Sequence, residues 1–207
     1  MTKTLQHVDY EDVVVLLPLD GQNPGEDKTV LIWGASSCVG SCGVQLAAHA
    51  GYEIFGIASR RNHEMVKSLG AVACFDQSEP DLIEDIVQAL KGKAVAGAFD
   101  ANHNNETLEK LCEILHKVDQ RKLIASISPG AEAKGTKGVK IITNFATIGV
   151  ESEVPKFIWQ WINKAMESNT IKYMPQPEIV GKGLNGLQKA VELLSKGVSA
   201  KKLVVSI

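Results

Sequence analysis

Thr29-Val-Leu-Ile-Trp-Gly-Ala-Ser-Ser-Cys-Val-Gly40, followed directly by the apolar run from Val44 to Ala50, decides the fold of this chain. Val30 to Trp33 is an uninterrupted apolar run, the pattern of a strand buried on both faces. The residues from Gly34 to Ser37 are all small, as a tight strand-to-helix turn requires, and a helix is expected over Val39–Ala50. A helix that starts on such a turn directs backbone N–H groups and the positive end of its dipole at one point. That arrangement suits a pyrophosphate, so the unit reads as the opening of a dinucleotide-binding α/β domain.

The following hundred or so residues repeat the rhythm. Strands are expected at Glu53–Ala58, Val72–Phe75, Ala94–Phe99 and Lys122–Ile127, separated by helices at Asn62–Leu69, Asp81–Leu90 and Glu106–His116. Leu82, Ile83, Ile86, Val87 and Leu90 form a single apolar face, and Ser78-Glu-Pro-Asp before them has the chemistry of a helix cap. Five β-units in this alternation predict an α/β fold with a doubly wound parallel sheet of Rossmann type. Beyond them, Val139–Val150 is a β-branched run readable as a further strand. Lys156–Glu167 and Leu184–Leu194 read as helices, and Lys202–Ile207 as a closing strand. Residues 1–28 hold one apolar patch, Val13–Leu17, and then a loop rich in Pro, Gly and Asn.

Composition narrows the function classes. Of 207 residues 44% are hydrophobic and 22% charged, with a formal net charge of −2, which gives no footprint for nucleic acid or an anionic membrane. No apolar segment approaches the ~20 residues of a membrane span, and the first residues show no signal-peptide pattern. Four cysteines without C-x-x-C pairs read as reduced thiols, so a cytoplasmic location is expected. The five histidines show no ligand spacing, so no metal is expected; His103, after the fourth strand, reads as a polar loop residue with a catalytic role as the minor alternative. Cys38 and Cys42 read as small-residue packing under the turn, the alternative being thiols activated at the helix start.

A dinucleotide fingerprint asks for G-x-G-x-x-G; here its positions hold Ala35, Ser37 and Gly40, so only the last glycine is present. Ser36 and Ser37 then offer hydroxyls to phosphate oxygens. Domains that bind NAD place an acid roughly 20 positions further on, to hold the ribose 2′-OH. This chain instead has Ser59, nineteen positions after Gly40, followed by Arg60 and Arg61. A hydroxyl and two guanidinium groups attract a 2′-phosphate where a carboxylate would repel it, so the pattern favours NADP. The plainer reading is a pair of solvated loop charges.

Ile32-Trp-Gly-Ala-Ser-Ser-Cys-Val-Gly-Ser41, Gln45-Leu-Ala, Gly51-Tyr, Ala58-Ser, Val66-Lys-Ser-Leu-Gly-Ala71 and Phe75-Asp76 together resemble the cofactor domain of medium-chain dehydrogenases/reductases. The branch is the zinc-independent one of quinone oxidoreductases and enoyl reductases, fungal in type. Val180-Gly-Lys-Gly-Leu and Gly197-Val-Ser-Ala-Lys-Lys-Leu-Val-Val-Ser-Ile207 are similar to the closing segment of that family, and the likeness covers residues 28–130 and 155–207. The resemblance implies pyrophosphate contacts at Ser36, Ser37, Cys38 and Val39, and adenosine-phosphate contacts at Ser59, Arg60, Arg61 and Asn62. Gln77 stands on the adenine side, where relatives have tyrosine, and Ser126, at the end of the fifth strand, is expected to approach the nicotinamide. The run 139–150 resembles an edge strand that pairs two cofactor domains, which implies a homodimer; an ordinary sheet strand reads the same.

The resemblance also implies a GroES-like catalytic domain ahead of the cofactor domain. Residues 1–28 read as a remnant of that segment with its linker, and 29–207 as the NADP-binding domain, so the chain reads as a truncated or internally deleted reductase. No general acid is assigned, because the family draws its substrate-cleft groups largely from the preceding domain. Two functions stay open: an oxidoreductase that moves hydride from NADPH to the C=C or C=O of a small organic substrate, and a non-catalytic NADP-binding module.

Overall fold

The computed structural model describes residues 25–102, 104–143 and 153–207, with only the backbone of 153–158. The chain runs β1 (Lys28–Trp33), α1 (Cys38–His49), β2 (Glu53–Ala58), α2 (His63–Ser68), β3 (Ala71–Asp76), α3 (Leu82–Ala89), β4 (Ala94–Asp100), α4 (Asn105–Val118), β5 (Leu123–Ser126) and β6 (Lys140–Thr143). It continues through α5 (Glu153–Glu167), β7 (Pro177–Lys182), α6 (Leu187–Ser195) and β8 (Lys202–Ser206). Six strands form one sheet in the order β3-β2-β1-β4-β5-β6, every neighbouring pair parallel. The strand order reverses direction between β1 and β4, which opens a crevice at their carboxyl ends.

The alternation of side chains along each strand builds two cores. Leu31 and Trp33 of β1 and Phe55 and Ile57 of β2 face α3 and α4, where Ile86, Leu108, Leu111 and Leu115 are buried. Val30, Ile32 and Ile54 face the other way, against Val44 and Ala47 of α1 and Val66 of α2. Burial of each such aliphatic side chain contributes roughly 1.5–3 kcal/mol. Gly56 is required between β2 and its neighbours, since a Cβ there would stand 2.8 Å from Cγ1 of Val66. Among the described residues, the indole N–H of Trp33 is the single buried side-chain polar group without a hydrogen-bond partner.

The sheet and its helices are those expected from the sequence, with differences of one to three residues at most ends. α3 starts at Leu82 rather than behind a Ser78 cap, because the Ser78 hydroxyl donates to Asp76 Oδ1 at 2.7 Å instead. Of the run 139–150, Lys140–Thr143 forms β6 beside β5, and residues 144–150 lie outside the described residues. β7 was not anticipated, since Pro177 and Gly181 interrupt the strand pattern. It pairs in parallel with β8, so the closing strand lies in a separate two-stranded sheet. Leu184, just ahead of α6, and Leu187, Val191 and Leu194 on it are exposed. The segment 1–24 and His103 lie outside the described residues. No helix among those described is long and apolar enough to cross a membrane.

Candidate functional site

The β1–α1 turn is held by the sheet itself. Gly34, at φ +73°, and Ala35 both donate their N–H to the carbonyl of Ile57 on β2, at 3.0 and 3.2 Å, while Ala101 after β4 donates to the carbonyl of Trp33 at 3.0 Å. The turn therefore sits over the crevice between β1 and β4. Ser37 closes it as the N-cap of α1: its N–H reaches the Gly34 carbonyl at 2.8 Å, and its Oγ accepts from the N–H of Gly40 at 2.9 Å. Gly40 packs against the turn so closely that a Cβ would lie 2.0 Å from the Gly34 carbonyl oxygen. This is the close helix–strand approach that the last glycine of the fingerprint permits.

Cys38 and Val39 form the exposed first turn of α1, which carries no acidic residue. Among the described residues the N–H groups of Cys38 and Val39 find no acceptor. Two exposed N–H donors at the positive end of a helix dipole fit a phosphate group. Ser36 adds a hydroxyl beside them: Asn62 Nδ2 donates to Ser36 Oγ at 3.2 Å, which leaves the Ser36 proton available to an incoming acceptor. Ser37 keeps its proton in the same way, since its oxygen is the acceptor of the cap.

The carboxyl end of β2 leads into Ser59 and a 3₁₀ turn over Arg60–Asn62. The Asn62 N–H reaches the Ser59 carbonyl at 2.8 Å, and the Asn62 side chain is buried between the turn and the closing segment, donating also to Ser199 Oγ at 2.9 Å. The two arginines differ. Arg60 is exposed, pairs with Glu79, lies 3.5 Å from Asp76 through Nε, and donates its N–H to Asp76 Oδ2 at 3.2 Å. Glu79 beside it raises the guanidinium above its usual range. Asp76 is held below the usual carboxylate range, first by the Ser78 hydroxyl and N–H and then by Arg60. Among the described residues Arg61 forms no ion pair. It lines an open surface concavity together with Asn62 and the loop Gly197–Lys201.

The structure thus brings Ser36, Ser37, Cys38, Val39, Ser59, Arg60, Arg61 and Asn62 to one edge of the sheet. Gln77 is exposed in the turn after β3. Ser126 lies apart, at the end of β5, opposite Asp100 in register, with its hydroxyl donating to Asp100 Oδ2 at 2.7 Å. Asp100 is fully buried and also accepts from the Asn102 N–H at 3.1 Å and Thr107 Oγ1 at 3.3 Å. It pins β4, β5 and α4 together at the crevice, a role that the strand-terminal position of Phe99-Asp100 hints at in sequence. Ser199, Lys201 and Glu79 were also not anticipated; their places depend on contacts between distant segments.

Two expectations for the thiols are corrected. Cys38 and Cys42 are exposed rather than packed beneath the turn, and partial desolvation of the Cys42 thiol by its surroundings, then the neighbouring Cys38, push it up, opposite to activation. Among the described residues no three His, Cys, Asp or Glu side chains gather as a metal site.

A family model described as zinc-binding dehydrogenase matches residues 38–150. The chain is 36% identical over 185 residues to dehydrogenase orf1 of Aspergillus niger, covering 87% of this chain and 53% of that relative, so it spans about half the relative's length. It is 34% identical to the zinc-binding alcohol dehydrogenase domain-containing protein cipB of Emericella nidulans, over all of this chain and 69% of that one. Among solved structures it superposes on CurK enoyl reductase with a TM-score of 0.69 at 21% identity, covering 90% of this chain and 56% of the other. On CurA of Vibrio vulnificus, solved in complex with NADPH, the TM-score is 0.65 at 18% identity, covering 88% and 58%. The family model, the fungal relatives and the six-stranded sheet agree: this chain belongs to the medium-chain dehydrogenase/reductase family of oxidoreductases.

Proposed function

We propose that this protein is an NADPH-dependent oxidoreductase, transferring hydride to an activated C=C or C=O of a small organic substrate. One observation carries the reading: two exposed, acceptor-free N–H groups at Cys38 and Val39 stand beside the hydroxyls of Ser36 and Ser37, with Ser59, Arg60, Arg61 and Asn62 at the next strand end. The N–H groups and hydroxyls hold the pyrophosphate, and the segment Ser59–Asn62 holds the adenosine ribose and its 2′-phosphate. Gln77 lies on the adenine side. The crevice between β1 and β4 directs the other end of the dinucleotide toward the ends of β4 and β5, near Ser126.

A reduced nicotinamide bound in that crevice supplies the hydride. The chain's own part is positional. Asp100 fixes the ends of β4 and β5 through Ser126 and anchors α4 through Thr107, so the wall of the crevice is set before any ligand arrives. Support for a reductase comes from the enoyl reductase and NADPH-complex structures that share the fold, and from fungal relatives described as dehydrogenases.

The test is isotope transfer. The protein is incubated with each diastereomer of [4-²H]NADPH and a small α,β-unsaturated ketone or aldehyde, and the product is read by mass spectrometry. The expected result is deuterium on product carbon from one diastereomer only, with one NADP⁺ formed per product. Saturable NADPH binding without transfer to either acceptor would instead identify a cofactor-binding unit without reductase activity.

A further inference from the structure

None of the residues placed at the cofactor edge lines the largest concavity among the described residues, which runs along α1. It is a cavity of about 510 Å³, open on one side, between α1, α5, the segment 171–177 and β8. Hydrogen bonds fix its walls. The Gln45 side chain donates to the Lys172 carbonyl at 3.1 Å and accepts the Lys172 N–H at 2.6 Å, and Ser41 Oγ donates to the Met174 carbonyl at 2.8 Å. Toward α5, the Thr170 N–H reaches the Ala165 carbonyl at 2.8 Å. These bonds occupy the amide of Gln45 and the hydroxyl of Ser41 within the wall. The inner surface comes chiefly from apolar side chains, among them Leu46, Ile162, Met166, Ile171, Met174 and Val204. Two lysines line the cavity and no acidic residue does. Lys172 Nζ is turned onto the Ser68 carbonyl at 2.8 Å. Lys202, exposed at the start of β8, has no partner for its ammonium among the described residues. Apolar walls with one convergent charged group are the ordinary form of a small-molecule site. Tyr173 is the single aromatic side chain in the lining, so no pair of rings stands ready to sandwich a flat ligand. The unbranched thioethers of Met166 and Met174 adapt instead to a flexible chain.

We propose that this cavity binds an aliphatic carboxylate, with its chain against the apolar walls and its head on the ammonium of Lys202. Burial of the chain carries the affinity. The unpaired ammonium selects the head, since it attracts an anion and repels a cation. The site stands apart from the NADPH reading and does not depend on it.

The experiment titrates the unsubstituted protein by calorimetry with decanoate, octanoate, 1-decanol and decylammonium under identical salt. The expected result is saturable 1:1 binding of decanoate, roughly tenfold tighter than octanoate, because each buried methylene contributes about three- to fourfold. Decanol binds roughly fivefold more weakly than decanoate, and decylammonium more weakly still. Lys202→Met keeps the apolar stem and removes the charge. It weakens decanoate roughly fivefold and leaves decanol within about twofold, at an unchanged thermal midpoint. Labelling with [methyl-¹³C]methionine locates the ligand without any substitution. On saturation with decanoate the signals of Met166 and Met174 shift, and that of Met65, which does not line the cavity, shifts less. No saturable binding of decanoate overturns the proposal, including the case in which the chain itself or a second copy covers the cavity. Equal affinities for the three ten-carbon ligands also overturn it, since the head is then not recognised. Shifts at Met65 as large as those at Met166 and Met174 place the ligand elsewhere and overturn it as well. If Lys202→Met does not fold, the head-group comparison and the methionine signals of the unsubstituted protein decide by themselves.

Discussion

Asn62 and Ser199, 137 positions apart in sequence, are joined by a hydrogen bond of 2.9 Å from the Asn62 side-chain amide, which also donates to Ser36 at 3.2 Å. One buried amide therefore ties the phosphate turn to the closing segment. Asn62→Ala leaves two hydroxyls without their donor and is expected to cost about 1–3 kcal/mol in urea unfolding, with weaker NADPH binding. An unchanged unfolding midpoint together with unchanged binding would show that the bridge holds nothing.

Gly40 and Gly43 lie on the same helix and separate two effects. A Cβ on Gly40 meets backbone, 2.0 Å from the Gly34 carbonyl oxygen and 2.9 Å from Cα of Ala35, so Gly40→Ala is expected to cost roughly 2–3 kcal/mol or more. A Cβ on Gly43 meets side chains and no backbone, the ring of Phe99 at 3.0 and 3.1 Å and Ile32 Cδ1 at 3.9 Å, and alanine gains about 1 kcal/mol of helix propensity over glycine. Gly43→Ala is therefore expected within about 1 kcal/mol of the unsubstituted protein. Equal unfolding midpoints for the two variants would contradict the close turn packing.

Asp100 is fully buried and accepts three hydrogen bonds, from Ser126, Thr107 and the Asn102 N–H. Asp100→Ala strands all three donors and is expected to cost about 3 kcal/mol or more, whereas Asp100→Asn keeps the shape and part of the network and costs about half as much. Chemical denaturation of the pair checks the ordering.

Acid should remove a specific part of the stability. The Asp76 carboxyl is held below its usual range chiefly by Ser78, then by Arg60, so its pKa is lower in the folded than in the unfolded chain. Its contribution is complete above the unfolded carboxylate pKa and disappears as pH falls through the folded value, so the window lies between roughly pH 5 and pH 2. In Asp76→Asn, thermal midpoints measured across that window should fall less steeply than in the unsubstituted protein. Parallel curves would show that Asp76 carries none of the acid sensitivity.

Where the fold was legible in the sequence, the signal was local. The buried runs of β1 and β2, the small residues from Gly34 to Ser37 and the apolar stripe through Leu82, Ile86 and Leu90 each announce their element, and together they predict the parallel sheet. The edge formed by Ser36, Ser37, Ser59 and Asn62 was legible for the same reason, since a βαβ unit brings consecutive strand ends together. The partners of those residues were not. Ser199 reaches Asn62 from a loop more than a hundred residues away, and Glu79 pairs with Arg60 in the turn where Ser78 bonds back onto Asp76 rather than capping α3. β7 was missed because Pro177 and Gly181 break its pattern, and because a two-stranded sheet leaves most of it exposed.

The most direct test of the account is calorimetric titration of the unsubstituted protein with NADPH and with NADH under identical salt. A seat built for a 2′-phosphate predicts 1:1 binding of NADPH that is roughly tenfold or more tighter than NADH. Equal affinities, tighter binding of NADH, or no saturable binding of either nucleotide would contradict it.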